Sequence, residues 1–268
     1  MQQIIDNSSN LVSRYEQDGY ISGLRLIDDS QADMHRQALE SAEALHGDLH
    51  YLSKVHTLFR SPLALATLPA ALDIVEQLIG PDILLFNTTY IIKEAGTASH
   101  VSWHQDLTYW GLSDDDQVSM WLALSPATEQ TGCMKMLPGS HKQGRIEHHV
   151  TEDKDNVLLQ GQTVTNFDDS HSKLCPLAPG EASFHHGWTL HTSAPNHGDD
   201  RRIGLNVQYI APHVRQTKHD LDTALLVRGK DTYKHFGQDI GAVTDFDPVA
   251  VKRHAELQKL YLETAGTS

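Results

Sequence analysis

From Asp82 onward the chain reads as a run of short β-type segments set between turn residues. The segments are Ile83–Lys93, Val101–Thr108, Val118–Ser125, Gly132–Leu137, Ala182–His186, Leu190–Ser193 and Arg202–Ile210, with Leu158–Phe167 as a further strand. Gly, Pro and Asp stand between them, and many short strands broken by such residues bury their apolar faces as a sandwich or jelly roll. Helical patterning is confined to the flanks. Residues 11–27 read as a short helix turning at Asp18-Gly19 into a strand. Asp28-Asp29-Ser30 offers capping oxygens to a helix running to about His46, with Met34, Ala38, Leu39, Ala42 and Leu45 on one face. A second helix is expected from Ser61-Pro62 to Gly80-Pro81, with Leu65, Leu68, Leu72, Val75 and Ile79 as its stripe. The tail returns to helix after Asp247-Pro248.

The expected fold is therefore mainly β with flanking helices. Its 268 residues suit one domain: helices over 11–80, a β core over 82–212 and a helical tail over 213–268. Against 35 acidic residues stand 21 basic ones. The resulting charge of −14 argues against nucleic acid and anionic membrane surfaces as partners and leaves a small molecule. Two cysteines, Cys133 and Cys175, make no disulfide framework. Residues 1–10 carry no basic, apolar signal pattern, and no apolar run approaches the roughly 20 residues that span a bilayer. A cytoplasmic protein is expected.

Chemistry concentrates in Val101-Ser102-Trp103-His104-Gln105-Asp106-Leu107-Thr108-Tyr109-Trp110. On a strand, His104 and Asp106 leave the same face. An imidazole and a carboxylate so placed supply two ligands of a 2-His-1-carboxylate triad, the set that leaves open positions on non-haem Fe(II). The third must come from far along the chain, and the stretch 180–196 offers His185, His186 and His191. Eleven residues past His191, Arg202 opens a strand, where a guanidinium can grip a carboxylate bidentately. Its neighbour Arg201 would point to the opposite face.

Three ordered stretches carry a specific resemblance: His104 to Trp110, Thr131-Gly132-Cys133-Met134-Lys135-Met136-Leu137-Pro138-Gly139-Ser140-His141-Lys142, and His191-Thr192-Ser193-Ala194-Pro195-Asn196 through Arg202. Together they resemble the phytanoyl-CoA dioxygenase family of Fe(II)- and 2-oxoglutarate-dependent oxygenases, over roughly residues 12 to 215. The resemblance implies a double-stranded β-helix (jelly-roll, cupin-like) core. It also implies Fe(II), 2-oxoglutarate and O2 as cofactor and cosubstrates, with succinate and CO2 released. By position, His104, Asp106 and His191 resemble the iron ligands, and Arg202 and Ser193 the residues at the distal carboxylate of 2-oxoglutarate. Trp121, Asn87 and Thr108 resemble residues near the cosubstrate. Because Asp106 is kept, hydroxylation is expected and halogenation is not.

For the substrate, Thr89, Lys93, Tyr109, Trp110, His186 and Arg215 are expected to face the pocket, with Arg215 on a lid-like segment. The acidic balance and the lack of a basic patch favour a small polar or zwitterionic metabolite of amino-acid, ectoine-like or aminophosphonate type. The alternatives are an acyl-CoA or other larger secondary metabolite, or a cupin-like metalloenzyme that uses no 2-oxoglutarate.

Overall fold

The alternation of apolar and polar residues resolves into two sheets in a computed structural model of the chain, which describes residues 2–158 and 162–266. In order the elements are α1 (Gln2–Asp18), β1 (Tyr20–Arg25), α2 (Asp29–His46), α3 (Arg60–Ala66), α4 (Pro69–Ile79), β2 (Ile83–Lys93) and β3 (Val101–His104). There follow α5 (Leu107–Trp110), β4 (Gln117–Ala123), β5 (Met134–Met136), β6 (Lys173–Cys175), β7 (Glu181–His186) and β8 (His191–Ser193). The chain closes with β9 (Arg202–Ile210), β10 (Thr223–Arg228), β11 (Gly237–Gln238) and α6 (Pro248–Gly266). A seven-stranded sheet runs β1-β7-β4-β9-β2-β10-β11, and a four-stranded sheet runs β3-β8-β5-β6. Apart from the parallel β10–β11 pair, the strands pair antiparallel. This is the expected jelly-roll core.

The large sheet has two unlike faces, because side chains alternate across a strand. Tyr90, Ile92, Met120, Leu122, Phe184, Leu205, Val207 and Tyr209 point one way, into a single apolar cluster with Leu39, Leu65, Leu72 and Val75 from α2 to α4. In register between them, Thr89, Ser119, Trp121, Ser183, His185, Arg202, Asn206 and Gln208 point the other way, toward the small sheet. Burying the apolar side drives the fold, at roughly 25 cal/mol per Å² of apolar surface removed from water. The polar side is left to build a site. Gly204 lies in this polar row because a Cβ there would stand 2.0 Å from the Trp121 ring.

Several local expectations shift. Asp28 caps α2 in a full capping box with Gln31, as its sequence suggests. The buried stripe of α2 is Ala32, Leu39 and Ala42, however, while Met34 and Leu45 face solvent. The helix expected over 61–80 is two helices, broken at Thr67 and Leu68 before Pro69, since the residue preceding proline disfavours the α region. The 213–268 segment is not purely helical: β10 extends the large sheet by pairing with β2. Part of the strand expected over 158–167 lies outside the described residues; of the rest, Thr163 makes only an isolated bridge with His149. Helix α6 is held by hydrogen bonds to Ser53 and Lys218. Gln258 accepts from the Ser53 amide at 2.8 Å, His254 donates to the Ser53 carbonyl at 2.7 Å, and Lys218 donates to the Thr264 carbonyl at 2.7 Å. Among the described residues, no single helix is long and apolar enough to cross a membrane.

Candidate metal centre and cavity

β3 and β8 pair so that His104 lies directly across from His191, with ring centroids 4.0 Å apart. Each imidazole is oriented by its own chain. His104 Nδ1 donates to the Ser102 carbonyl at 2.9 Å and His191 Nδ1 to the Thr189 carbonyl at 3.0 Å. A carbonyl only accepts, so both Nε2 atoms are left as lone-pair donors, the state a metal needs.

Asp106 reaches them by a route the strand pattern does not give. β3 ends at His104, and Asp106 has φ −57° and ψ −46°, the helical conformation that opens α5. The turn is locked by Gln105, which donates to the carbonyls of Gly144 and Trp188 (both 2.8 Å) and accepts from the Ile146 amide (2.7 Å). Asp106 Oδ1 then sits 3.4 Å from His104 Nε2 and 3.8 Å from His191 Nε2. The ligand atoms of all three residues lie within 4.8 Å of one another.

The other carboxylate oxygen is fully engaged. Ser119 Oγ donates to Asp106 Oδ2 at 3.0 Å, and His185 Nε2 approaches it at 3.2 Å. Burial pushes this carboxyl up, but the imidazoles gathered around it, His185 among them by hydrogen bond, outweigh burial and hold Asp106 well below the usual range. Burial, together with neighbouring His104, keeps His191 neutral far below its ordinary value. Ser119 went unnoticed in the sequence, and His185, one of three candidates there for the third ligand, is instead a partner of Asp106. The signal was present: His185 and His186 are adjacent on β7 and so face opposite sides.

A cavity of about 280 Å³ opens beside the three ligands. At one side of it Arg202 is buried, its guanidinium 5.0 Å from the Trp121 ring, and its Nε and Nη2 have no partner. Burial draws Arg202 down to about 10. Ser193 lines the cavity beside it. Arg201, on the opposite face, is bound to Glu43 and Glu94 at 2.8 Å each. A buried guanidinium with unsatisfied donors fits a carboxylate ligand, and three converging imidazole and carboxylate donors fit a ferrous ion.

Of the other residues singled out in the sequence, Thr89, Tyr109, Trp110 and Trp121 line the cavity. Asn87 does not: its side chain accepts from the Lys54 amide and donates to Thr89. Thr108 turns toward His148. His186 faces Tyr15, His141 and Asp115 on the far side of β7. Arg215 is exposed near Ser113. Lys93 reaches Ser193 rather than open space. Sequence reasoning missed Tyr51, Asn206 and Gln208, together with Tyr261, Leu262 and Ala265 of α6, which also line the cavity.

The family model for phytanoyl-CoA dioxygenase (PhyH) matches residues 7–204. The chain is 28% identical over 165 residues to a probable alpha-ketoglutarate-dependent hypophosphite dioxygenase of Stutzerimonas stutzeri, covering 61% of this chain and 57% of that protein. The match thus spans little more than half of that relative's length. With L-proline trans-4-hydroxylase of Streptomyces griseoviridis it shares 24% identity over 234 residues, 73% of this chain and 84% of the relative. Among solved structures, the apo form of the non-heme monooxygenase ThoJ matches with a TM-score of 0.80 at 28% identity, covering 94% of this chain and 99% of that one.

Proposed function

The chain belongs to the phytanoyl-CoA dioxygenase family, and from that membership we propose that it is an Fe(II)- and 2-oxoglutarate-dependent oxygenase that hydroxylates an unactivated C–H bond of a small molecule. The observation that carries this is one cavity shared by the His104, Asp106 and His191 ligand set and by a buried guanidinium with unpartnered donors. Iron, 2-oxoglutarate and O2 bound there would supply the oxidation: one atom of O2 would enter the C–OH and the other the succinate formed as the keto acid loses CO2.

The protein's own share is holding and screening. His104, Asp106 and His191 would hold the ion and leave its remaining positions free. Ser119 and His185 fix the carboxylate so that Oδ1, not Oδ2, faces the imidazoles. Arg202 and Ser193 would take the distal carboxylate of the cosubstrate, with Trp121 stacked against the guanidinium to hold its plane. Tyr109, Trp110 and α6 keep bulk water from the reacting centre.

The lining also bears on the substrate. Among the described residues, its charged groups are Asp106, Arg202 and the histidines that meet at Asp106. Once these are committed, none remains to pair with a fixed charge on a substrate, and an unpaired buried charge is costly. What remains is neutral: Tyr51, Thr89, Tyr109, Asn206 and Gln208 among Ile91, Val101, Trp110, Val157 and Leu262. This supports an uncharged, mostly apolar reacting portion. It favours the larger metabolite or acyl chain over the amino-acid-like zwitterion suggested by overall charge.

The test is succinate release from 2-oxoglutarate that requires Fe(II) and O2 and is lost in Asp106→Ala, followed by mass spectrometry for gain of one oxygen across neutral and charged candidates. No iron-dependent succinate would reject the oxygenase. A zwitterionic product would reject the substrate class alone.

A further inference from the structure

Lys93 ends β2, directly across from Arg202 on β9, and both side chains are buried. Among the described residues, neither cation forms an ion pair with a carboxylate, whereas Arg201 next door pairs with two. Two adjacent buried basic groups without an anion cannot both hold their charge cheaply, and a dianion resolves this. Lys93 Nζ donates to the Ser193 carbonyl at 3.0 Å, to the Ala194 carbonyl and to the Ser193 hydroxyl. An ammonium has three donors and no acceptor, so these three oxygens use all of it. In the charged state that a bound dianion favours, Ser193 Oγ therefore accepts from Lys93 and keeps its own proton to give elsewhere. That hydroxyl belongs to a residue lining the cavity beside the unpartnered Arg202 Nε and Nη2.

We propose that Lys93 is a positioning residue for the cosubstrate: it fixes the Ser193 hydroxyl as a donor toward the distal carboxylate of 2-oxoglutarate and adds its charge to that of Arg202 without touching the ligand. This rests on the oxygenase reading above and moves Lys93 from the substrate to the cosubstrate. In the ligand-free chain, burial and the Arg202 charge draw Lys93 down to about 6, a penalty that an arriving anion relieves.

The test is anaerobic calorimetry on Mn(II)-loaded protein with two ligands: 2-oxoglutarate, and 2-oxobutyrate, which keeps the keto-acid end but lacks the distal carboxylate. Lys93→Met is expected to weaken 2-oxoglutarate by about 10- to 100-fold and to leave 2-oxobutyrate within about twofold. Adding Ser193→Ala to Lys93→Met should cost little more, because the two act as one unit. Lys93→Gln, which retains amide donors, should fall between wild type and Lys93→Met. It carries the same comparison if Lys93→Met shows no cooperative thermal transition. Equal weakening of both ligands would mark general damage to the site and overturn the proposal, as would unchanged 2-oxoglutarate affinity in both variants. A wild-type protein that binds Mn(II) but not 2-oxoglutarate would instead overturn the oxygenase reading itself.

Discussion

Around the metal centre Asp106 Oδ2 is held by Ser119 and His185, while Oδ1 faces His104 and His191. On the rest of the cavity lining the side-chain oxygens of Tyr109, Asn206 and Gln208 have no partner. The metal centre, the inner end of this comparison, is drawn wholly from residues 7–204, the span that the family model matches. The rest of the lining takes Asn206, Gln208, Tyr261, Leu262 and Ala265 from beyond it. Hydrogen bonds from Ser119 and His185 hold the carboxylate in one orientation, while unpartnered groups are open to a ligand. The metal centre thus lies inside the span this chain shares with its family, and part of the remaining lining lies outside it.

Four changes would break or sharpen that contrast. Asp106→Ala should have the largest effect, abolishing both metal stoichiometry and succinate formation; calorimetry with Mn(II) and a succinate assay read the two. His185→Phe leaves all three ligands in place but removes a partner of Asp106 Oδ2. Metal affinity should fall by about 10- to 100-fold, measured by competition with a chelator. An unchanged affinity would mean that the inner end is less tightly tied than its hydrogen bonds indicate.

The third change is pH. Lys93 stands at about 6 in the free chain, held there by burial and by Arg202, with the Cys133 thiol the other titratable group bearing on it. A bound dianion raises that value, so 2-oxoglutarate should bind most tightly below about pH 6. Above it, affinity should fall by at most tenfold per pH unit until the raised value is passed. Calorimetry across pH should show this slope in wild type and a flatter one in Lys93→Met. The smallest effect on the metal centre should come from the rest of the lining. Gln208→Leu is expected to change kcat/KM for the hydroxylated substrate several-fold, with the Kd of 2-oxoglutarate held within about twofold.

Much of this was legible in the residues, and the gaps have physical causes. β9 runs over Arg202–Ile210, as its alternation predicts, because Ile203, Leu205, Val207 and Tyr209 make one face apolar while Arg202, Asn206 and Gln208 stand on the other. Asp106 belongs to a helical turn, since a spacing of two residues on a presumed strand cannot reveal where that strand ends. β10 was hidden because its residues Leu225 to Arg228 are only partly buried, so its pattern is weak. Asn87 looks like a neighbour of the cavity by alternation. A register shift between Leu85 and Asn87, and the Lys54 amide, divert it. Nothing in local sequence could bring α6 to the cavity. Its position depends on Ser53, some 205 residues away from its partner Gln258.

The most direct measurement is an anaerobic titration of the Fe(II)-loaded protein with 2-oxoglutarate, followed by visible absorption. The expected result is a weak metal-to-ligand charge-transfer band that saturates at one 2-oxoglutarate per iron and needs far more ligand to form in Arg202→Leu. Iron bound without any such band, or a band indifferent to the loss of Arg202, would contradict the joining of ligand set and guanidinium in one site.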